Sequence, residues 1–451
     1  MKNHLQIRLI LLLLFAQFFI SCENNDEPMV SDENSNEYVN DWMYQQMKRY
    51  YLWNDVIKNE GSLALNPKDY FKTLLKSEDI YSYALHPELS ETAPKSLRSK
   101  FGFDMSFVEF EGKYYGVILY VLEDSPAKNN GLQRGQFITH IDGKELKLDN
   151  YNALYSSLVS QNQINITTVT YSVQEGFSNS KEVSILQGFT FSQPIHYKII
   201  EEKNTKIGYV EIPHFDVGQA QTYQQIFQEL KNKAITELVL DLRYNGGGDI
   251  SSAAALSIIL ASNIKSSDLF VKFEGNANGG KVDQSFLEAL KSNESTVTFE
   301  ALRNVHPSIN KVYILCGNRT ASASELIINN LKPYLEVITI GEKTFGKDVA
   351  GFPIEDDRIA SKRGWILYPA IYKLFNSRHE GNYSKGIEPV IYKVEFNGPE
   401  IFLLGNPSEV LLEKALNQIT GNTNKKIVKS LQTLPVSVLH GDVDPLLQFK
   451  P

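Results

Sequence analysis

The chain has 451 residues, of which 42% are hydrophobic and 22% are charged, which is an ordinary composition for a globular protein and excludes a collagen, a coiled-coil rod or a polytopic membrane protein. Lys and Arg number 45 and Asp and Glu number 53, so the net charge is −8. This acidic balance argues against nucleic acid as a partner, because phosphate binding needs a surplus of basic residues. The length predicts two or three domains of ~100–200 residues each. The only cysteines, Cys22 and Cys316, predict no disulfide framework.

The N-terminus has the pattern of a secretory signal. Lys2 and Arg8 precede an apolar run over residues 9–20, which is too short to span a bilayer at ~20 residues. The run Phe19-Ile20-Ser21-Cys22 resembles a bacterial lipobox, so we expect residues 1–22 to be a lipoprotein signal and Cys22 to be acylated. The alternative is an ordinary signal peptide with an incidental cysteine. Residues 23–37 are polar and acidic and predict a flexible tether, so we expect an outer-membrane lipoprotein of the cell envelope.

A helical segment follows the tether. Apolar residues recur at three- and four-residue steps, which predicts an amphipathic helix with an aromatic stripe; they are Val39, Trp42, Met43, Met47, Tyr50 and Trp53. Core packing explains this stripe better than a ligand site does. Residues 38–97 are therefore predicted to form a small N-terminal helical domain.

The pattern changes to short strands over residues 98–190. A β-branched and aromatic run covers residues 115–122, and Ser125-Pro126 predicts a helical turn before a strand over residues 137–141. Asp142-Gly143 is a hairpin signal. This order resembles a PDZ domain, a family in which a glycine-containing loop binds the terminal carboxylate of a peptide that adds as a strand. The matching loop is Phe101-Gly102-Phe103, although a simple bend at Gly102 is the alternative.

Strands alternate with helices over residues 191–420, which predicts an α/β core with helices packed on a sheet. Strands are expected at residues 207–212, 238–242, 312–316 and 337–340, and helices at 218–233, 250–261 and 322–331. Residues 421–451 carry no motif and are assigned only as a C-terminal tail.

A glycine-rich loop follows the strand at residues 238–242. Gly246, Gly247 and Gly248 precede an apolar helix, an arrangement in which backbone N–H groups can approach a ligand closely. The loop lacks the lysine of a P-loop and the spacing of a dinucleotide-binding motif. It therefore predicts a phosphate site, an oxyanion hole or a purely structural turn.

A segment of small residues, TASASE, leads from a strand into a helix. It would leave the hydroxyl of Ser322 or Ser324 accessible at a helix N-terminus, where developing negative charge is stabilised. The alternative is structural, because Ser322 and Glu325 fit a capping box. Further on, Lys347 lies in a glycine-flanked loop. It could act as a general base only if burial lowered the lysine pKa from ~10.4 toward neutrality.

Together these segments resemble peptidase family S41, the carboxyl-terminal processing (tail-specific) peptidases. The resemblance covers residues 98–420 and rests on DLR-x-N-x-GG, TASASE, TFGK, SKGIEP and a late helix at residues 407–417. The helical start, YVNDWMYQQMKRYYLWND, resembles the Bacteroidetes branch of that family. The resemblance implies a multidomain α/β protein, with a small N-terminal helical domain, a PDZ-like β domain and a crotonase/ClpP-like peptidase core.

The resemblance also implies the roles of individual residues. Ser322 would be the nucleophile and Lys347, 25 residues later, the general base; this spacing favours Ser322 over Ser324. The oxyanion hole would consist of the N–H groups of Gly247 and Ala323. The implied substrate is a protein or peptide with a free C-terminus. One departure is Gly351, where many members carry a Gln that orients the lysine.

Two other functions stay open at this point. A non-catalytic binding protein on the same fold is consistent with the loss of Gln at position 351. A thioester-handling enzyme of the related crotonase architecture would use Gly247 and Ala323 but would need neither a PDZ module nor TASASE. The eight histidines are scattered without metal-ligand spacing, so we expect no metal and no cofactor.

Overall fold

The computed structural model describes residues 35–94, 96–188, 193–293, 296–359, 364–396, 398, 400–422, 432–433 and 447–448. The predicted signal segment with Cys22, most of the predicted tether and most of the C-terminal tail lie outside these residues. Within the described ranges, no helix is both long and apolar enough to cross a membrane.

The N-terminal region (residues 35–94) is mainly helical. Its elements are α1 (Asn36–Tyr50), a 3-10 turn (Asn54–Val56), α2 (Pro67–Thr73) and β1 (Tyr83–Leu85). Helix α1 begins at the cap Ser35, whose side chain accepts the Tyr38 N–H. The predicted stripe is confirmed as core, because Trp42, Met43 and Met47 are buried.

This region is joined to the rest of the chain by a shared sheet and a shared core. Strand β1 pairs antiparallel with a strand at Ile366–Tyr368, which in turn pairs with one at Ile354–Glu355. The hydrophobic cluster around Trp42 also contains Val349, two residues after Lys347. The N-terminal region therefore supports the segment that follows Lys347.

The β-rich region (residues 96–188) forms one antiparallel sheet with two short helices and one longer helix. Its elements are α3 (Leu97–Phe101), β2 (Phe103–Phe110), β3 (Lys113–Val121), α4 (Pro126–Asn129), β4 (Phe137–Ile141), β5 (Lys144–Glu145), α5 (Tyr151–Ser160), β6 (Gln163–Ser172) and β7 (Gly176–Leu186). The strand order is β2-β3-β4-β6-β7, with β5 paired to β4. A short strand β20 (Gln432–Thr433) pairs antiparallel with the free edge of β2 at Val108 and Glu109.

The core region (residues 193–422) is built on a six-stranded sheet. Its elements up to the TASASE segment are β8 (His196–Glu202), β9 (Thr205–Glu211), α6 (Ala220–Asn232), β10 (Glu237–Asp241), α7 (Ile250–Leu260), β11 (Leu269–Glu274), β12 (Lys281–Ser285), α8 (Phe286–Lys291), α9 (Phe299–Arg303) and β13 (Lys311–Cys316). The later elements are α10 (Ala323–Asn330), β14 (Glu336–Gly341), β15 (Val349–Gly351), β16 (Ile354–Glu355), β17 (Ile366–Tyr368), β18 (Tyr372–Phe375), β19 (Ile391–Tyr392) and α11 (Val410–Thr420). Beyond this region, the short strand β21 (Leu447–Gln448) pairs with β15.

The topology of the core brings three loops to one edge. The sheet order is β19-β14-β13-β10-β9-β8, and β9, β10, β13, β14 and β19 run parallel. The carboxyl ends of parallel strands meet at the same edge of a sheet, where ligands of α/β proteins bind. The loops after β10, β13 and β14 carry the three segments singled out from the sequence. A second sheet is ordered β12-β11-β18-β15-β21, and its strand β15 follows the third of these loops.

The mixed α/β multidomain fold expected from the sequence is confirmed, and the strand and helix positions agree within a few residues. The domain boundary proposed between residues 97 and 98 falls inside α3, which begins at the Ser96 cap. Because β1 shares a sheet with β16 and β17, the N-terminal helices and the core have a common hydrophobic cluster.

Candidate active site

The glycine loop after β10 and the TASASE segment after β13 are in contact. Gly247 has φ +117°, and a Cβ added there would lie 2.6 Å from Ser322 Cβ and 3.1 Å from the Ala323 nitrogen. A side chain at position 247 would therefore displace Ser322, so glycine is required by close approach as well as by its backbone conformation. The structure brings three of the predicted site residues together.

Ser322 lies at the turn between β13 and α10 with φ 56° and ψ −115°. A non-glycine residue in this region is strained, and such strain occurs at functional sites. The side chain is 0% exposed, and its hydroxyl has no hydrogen-bond partner among the described residues. By contrast, Ser324 Oγ donates to the Asn245 carbonyl at 3.1 Å. The hydroxyl of Ser324 is thus used by the fold, whereas that of Ser322 has no partner among the described residues, although it is buried and not accessible as the sequence had suggested.

Glu325 connects the Ser322 turn to the Lys347 loop. Its Oε2 accepts the N–H of Ser322 at 3.0 Å and the N–H of Lys347 at 2.8 Å. Its Oε1 accepts the N–H of Gly346 at 2.7 Å and the hydroxyl of Thr344 at 2.5 Å. The carboxylate half of the predicted capping box is therefore present, and the same carboxylate fixes the backbone of both predicted catalytic residues.

The Glu325 carboxyl group is completely buried, and this burial raises its pKa to about 7. The hydrogen bonds from Thr344, Gly346, Lys347 and Ser322 favour the charged form and lower the pKa, but they do not cancel the effect of burial. Glu325 therefore titrates near neutrality while it holds the site together.

Lys347 begins the segment that leads into β15 and is 1% exposed. Its neighbour Asp348 is fully buried and binds Lys373 Nζ through both carboxylate oxygens, at 2.7 and 2.6 Å. Gly351 lies in β15 and is buried, so no side chain from this position reaches the lysine. The side chain that orients Lys347 in place of Gln is therefore not on position 351.

Two tyrosines that sequence reasoning missed lie around this loop. Tyr81 of the N-terminal region donates its hydroxyl to the Gly346 carbonyl at 2.8 Å. Tyr383 is buried, and its hydroxyl has no partner among the described residues. Burial and the charges of Glu325 and Asp348 raise the Tyr383 pKa well above its ordinary value, so this hydroxyl is protonated. No local motif marks either tyrosine, because both are placed by long-range packing.

The two predicted oxyanion donors differ in whether their N–H group already donates a hydrogen bond. Ala323 is the first residue of α10, so its N–H has no acceptor within the helix. The N–H of Gly247 instead donates to Asn245 Oδ1 at 2.9 Å. In this arrangement, only the Ala323 N–H is directly available to a substrate oxygen.

Buried ion pairs anchor the base of the site to the β-rich region. Arg243 forms two hydrogen bonds to Glu409, at 2.6 and 2.7 Å, and a salt bridge to Asp241 at 2.9 Å. Arg134 of the β-rich region binds Glu395 at 2.7 Å, which also contacts Arg243. These contacts fix the end of β10, from which the glycine loop departs.

A second anchor holds the TASASE segment itself. Arg319 Nε donates to Asp104 Oδ2 of strand β2 at 2.6 Å, and Arg319 Nη2 donates to the Met105 carbonyl at 3.1 Å. Asp104 is 0% exposed and Arg319 is 6% exposed. Three residues before the candidate nucleophile, the chain is therefore attached to the first part of β2.

Most groups of the predicted peptide-binding loop make contacts within the protein itself. Phe101 and Phe103 are fully buried in the core of the β-rich region. Gly102 has φ +79° and ends α3, and its N–H donates to the carbonyls of Arg98 and Leu97 at 3.0 and 3.2 Å. A carboxylate at this loop would need donors other than the Gly102 N–H, and the peptide-binding role of these three residues stays a prediction.

Within the described ranges, no group of three or more His, Cys, Asp or Glu side chains is arranged to hold a metal ion. Cys316 is a buried free thiol at the end of β13, and burial raises its pKa to about 12. It is therefore a protonated core residue rather than a reactive thiolate.

Known proteins provide an independent comparison. The family model "Peptidase family S41" matches residues 206–392, and the model "Peptidase S41 N-terminal domain" matches residues 38–83. A "Probable CtpA-like serine protease" of Staphylococcus haemolyticus is 26% identical over 277 residues, which are 59% of this chain and 48% of that protein. A protein of the same name from Staphylococcus aureus (strain COL) is 28% identical over 229 residues, 51% of this chain and 41% of that protein. The chain thus spans about half the length of the curated relatives it matches.

Solved structures match over most of the chain. A Bacteroides fragilis protein described as an S41 protease is 25% identical with a TM-score of 0.67, covering 85% of this chain and 98% of that one. The photosystem II D1 C-terminal processing protease is 18% identical with a TM-score of 0.50, covering 81% and 95%, and supports the fold alone. With both S41 family models matched in order along the sequence, the chain belongs to peptidase family S41.

Proposed function

We propose that the protein is a serine endopeptidase of the cell envelope in which Ser322 is the nucleophile and Lys347 is the general base. One observation carries the proposal: the Glu325 carboxylate binds the N–H of Ser322 and the N–H of Lys347 through a single oxygen. It fixes the two residues next to each other, while the Ser322 hydroxyl has no hydrogen-bond partner within the described part of the chain. The names of the Staphylococcus relatives, CtpA-like serine protease, support the same reaction class.

The reaction would proceed through an acyl-enzyme. A neutral Lys347 amine accepts the Ser322 proton while Oγ forms a bond to the scissile carbonyl carbon. The tetrahedral oxyanion would be stabilised by the N–H groups of Ala323 and Gly247, each worth ~3–4 kcal/mol in such sites. The C–N bond then breaks, and the lysine returns its proton to the leaving amine. Water hydrolyses the ester by the same proton transfers in reverse.

A lysine base must be uncharged when it accepts the serine proton. Lys347 is almost completely buried, which disfavours an ammonium group. The nearby carboxylate of Asp348 would have the opposite effect, but it is neutralised by Lys373. The start of α10 adds positive potential at the serine, which also disfavours a second positive charge.

Substrates would be recognised by their C-terminal tails at the β-rich region, acting as a PDZ-like module. The edge of β2 accepts an added strand, as its pairing with β20 illustrates, and addition of a peptide as a strand is a common recognition mode. The Met105 carbonyl on this edge is bound by Arg319. A tail that pairs with this part of β2 would replace that contact. The envelope location rests on the lipobox-like sequence ending at Cys22.

The decisive experiment is cleavage of a disordered polypeptide by the purified protein without residues 1–22. We expect Ser322→Ala to abolish turnover and leave the melting temperature unchanged or higher. Ser324→Ala is the matched control, because that hydroxyl is buried in the same segment but binds the Asn245 carbonyl. It should lower stability and retain cleavage. Cleavage by Ser322→Ala at the wild-type rate would refute the assignment.

A second candidate is a peptide-binding protein without catalysis. It is favoured by one observation, the absence of a side chain at Gly351 where many family members orient the lysine with Gln. In that case the wild-type protein would bind C-terminal peptides and show no turnover that depends on Ser322. The same assay therefore separates the two functions.

A further inference from the structure

Asn245 lies at the point where the glycine loop meets the nucleophile segment, and it is 0% exposed. Its backbone carbonyl accepts the Ala321 N–H at 3.1 Å and the Ser324 hydroxyl at 3.1 Å. Its side-chain Nδ2 donates to the Ile212 carbonyl at 3.0 Å. Its side-chain Oδ1 accepts the Gly247 N–H at 2.9 Å. Because one side of the amide faces an acceptor and the other faces a donor, these partners fix the orientation of the amide.

The bond from the Gly247 N–H to Asn245 Oδ1 has a chemical consequence. A backbone N–H has one hydrogen, and here that hydrogen points to Asn245 Oδ1. Oxyanion stabilisation requires the donor to point to the oxygen of the tetrahedral intermediate. The Gly247 N–H cannot satisfy both acceptors with good geometry.

We propose that Asn245 is a positioning residue that gates the oxyanion hole by holding the Gly247 N–H until a substrate oxygen replaces Asn245 Oδ1. This inference rests on the proposed function, since it concerns the intermediate formed on Ser322. In the closed state, Ala323 is the single donor. In the open state, the Gly247 N–H turns to the oxyanion and the Asn245 amide keeps its bond to Ile212.

The surrounding contacts identify the part that moves. The backbone of Asn245 is fixed by Ala321 and Ser324, and the preceding residue Tyr244 is fixed from the β-rich region. Arg98 donates to the Tyr244 carbonyl at 3.3 Å, and Arg134 donates to the Tyr244 hydroxyl at 2.6 Å. The three glycines that follow have no side chains. Rotation of the peptide unit before Gly247 would break the bond to Asn245 Oδ1 and leave in place the bond from the Phe215 N–H to the Gly247 carbonyl at 2.9 Å. Glycine tolerates the φ values that this rotation needs.

The first test uses the wild-type protein and a peptide boronic acid, which forms a B–O bond to a serine Oγ and places an anionic boronate oxygen where the oxyanion develops. A crystal structure of the adduct should show the Gly247 nitrogen within hydrogen-bond distance of that oxygen and beyond it from Asn245 Oδ1. An adduct in which Gly247 still donates to Asn245 would overturn the gate while leaving the proposed function intact. Failure to form any adduct on Ser322 would instead refute the proposed function, and the gate with it.

The second test compares Asn245→Ser and Asn245→Ala with the wild type. Removing the competing acceptor should tighten boronate binding about fivefold, the equivalent of one neutral hydrogen bond. The affinity for an uncleaved peptide, measured in the Ser322→Ala background, should not change. Asn40→Ala is the matched control, because Asn40 is also 0% exposed and bridges two backbone carbonyls, both within the N-terminal region. It should lower the melting temperature and leave both affinities unchanged.

A purely structural role for Asn245 predicts a different result. Loss of order in the glycine loop would weaken boronate and peptide binding together, or weaken boronate binding alone. Either result in a variant that remains folded would overturn the gate. The ratio of the boronate affinity to the peptide affinity, rather than the catalytic activity, therefore distinguishes a gate from a purely structural role.

Discussion

The Ser322 turn and the Gly102 turn both join a helix to a strand through a residue with positive φ, but they use their polar groups differently. At Gly102, the N–H donates to carbonyls of the preceding helix, and both neighbouring side chains are in the core. At Ser322, the N–H is bound by a carboxylate, and the side-chain hydroxyl has no partner in the ranges that the structure describes. A turn can act chemically where the fold leaves a polar group unused, and a positive φ alone does not identify such a turn.

The largest effect that would test this comparison is expected at Lys347. Lys347→Met should lower kcat by about a thousandfold, within the range for removal of a general base, without a loss of folding stability. Single-turnover cleavage of a disordered polypeptide is the measurement. Lys343→Met is the control, because Lys343 lies in the same loop but is about half exposed and pairs with Glu388. Equal rates in the two variants would contradict the assignment of Lys347.

The next largest effect is expected at Glu325, because its carboxylate makes the Ser322 turn different from the Gly102 turn. Glu325→Gln keeps one acceptor oxygen, so some of the four buried donors lose their partner, at about 1–3 kcal/mol for each unsatisfied group. We expect a destabilisation of roughly 2 kcal/mol and a ~100-fold lower kcat from misplacement of Ser322 and Lys347. Urea unfolding and steady-state kinetics measure the two effects.

The chain contains a matched control for Glu325. Ser285 and Glu288 form a complete capping box at the start of α8, in which the carboxylate also binds the serine N–H, but Glu288 lies at the surface. Glu288→Gln should change stability by less than about 0.5 kcal/mol, as is usual for surface positions, and leave kcat unchanged. If the two Gln variants behaved alike, Glu325 would be an ordinary cap.

Gly102→Ala tests whether the Gly102 turn is structural. An added Cβ would lie 2.1 Å from Ser125 Cβ, and the positive φ adds strain, so we expect a loss of roughly 2–4 kcal/mol in folding stability. Gly143→Ala has the same strain, with φ +72°, and meets no atom within 4 Å. It should cost about 1 kcal/mol. Unchanged stability in Gly102→Ala together with lost tail discrimination would support the direct peptide-binding role predicted from the sequence.

A separate effect, on the pH dependence of folding stability, is expected from Glu325. Burial raises its pKa from 4.5 to about 7, so between these values the folded chain holds a proton that the unfolded chain has released. Stability from this group is therefore complete below pH 4.5 and is lost as the pH rises toward 7. The free energy of unfolding of the wild type minus that of Glu325→Gln should fall over this window. A difference that grows with pH would show that the hydrogen bonds outweigh burial.

Much of the site could be predicted from the sequence because its signals are local. The residues TASASE, NGGG and TFGK each follow a strand of the parallel sheet, and the topology rule for such sheets places their loops at one edge. The Ser322-x-x-Glu325 spacing predicted the capping carboxylate. It did not predict that the same carboxylate binds the Lys347 loop, since that contact joins residues 22 positions apart across a sheet edge.

The parts that could not be predicted depend on contacts between residues far apart in sequence. The Arg319–Asp104 pair joins positions 215 apart, and the Tyr81 bond to Gly346 joins positions 265 apart. A charged residue in a single sequence gives no sign of its partner. The Asn245–Gly247 bond is local, but the glycine run carries no signal that separates an Asx-type turn contact from an N–H left available to a ligand.

The positive φ of Ser322 has a consequence for protein engineering. A serine held in this conformation costs the fold of order 1–3 kcal/mol, which glycine would largely recover. A library selected only for heat resistance would therefore enrich glycine at codon 322 and discard the hydroxyl. Thermal stability and the proposed catalytic turnover would then require different residues at position 322. Mutagenesis that aims to stabilise this protein should therefore leave codon 322 unchanged.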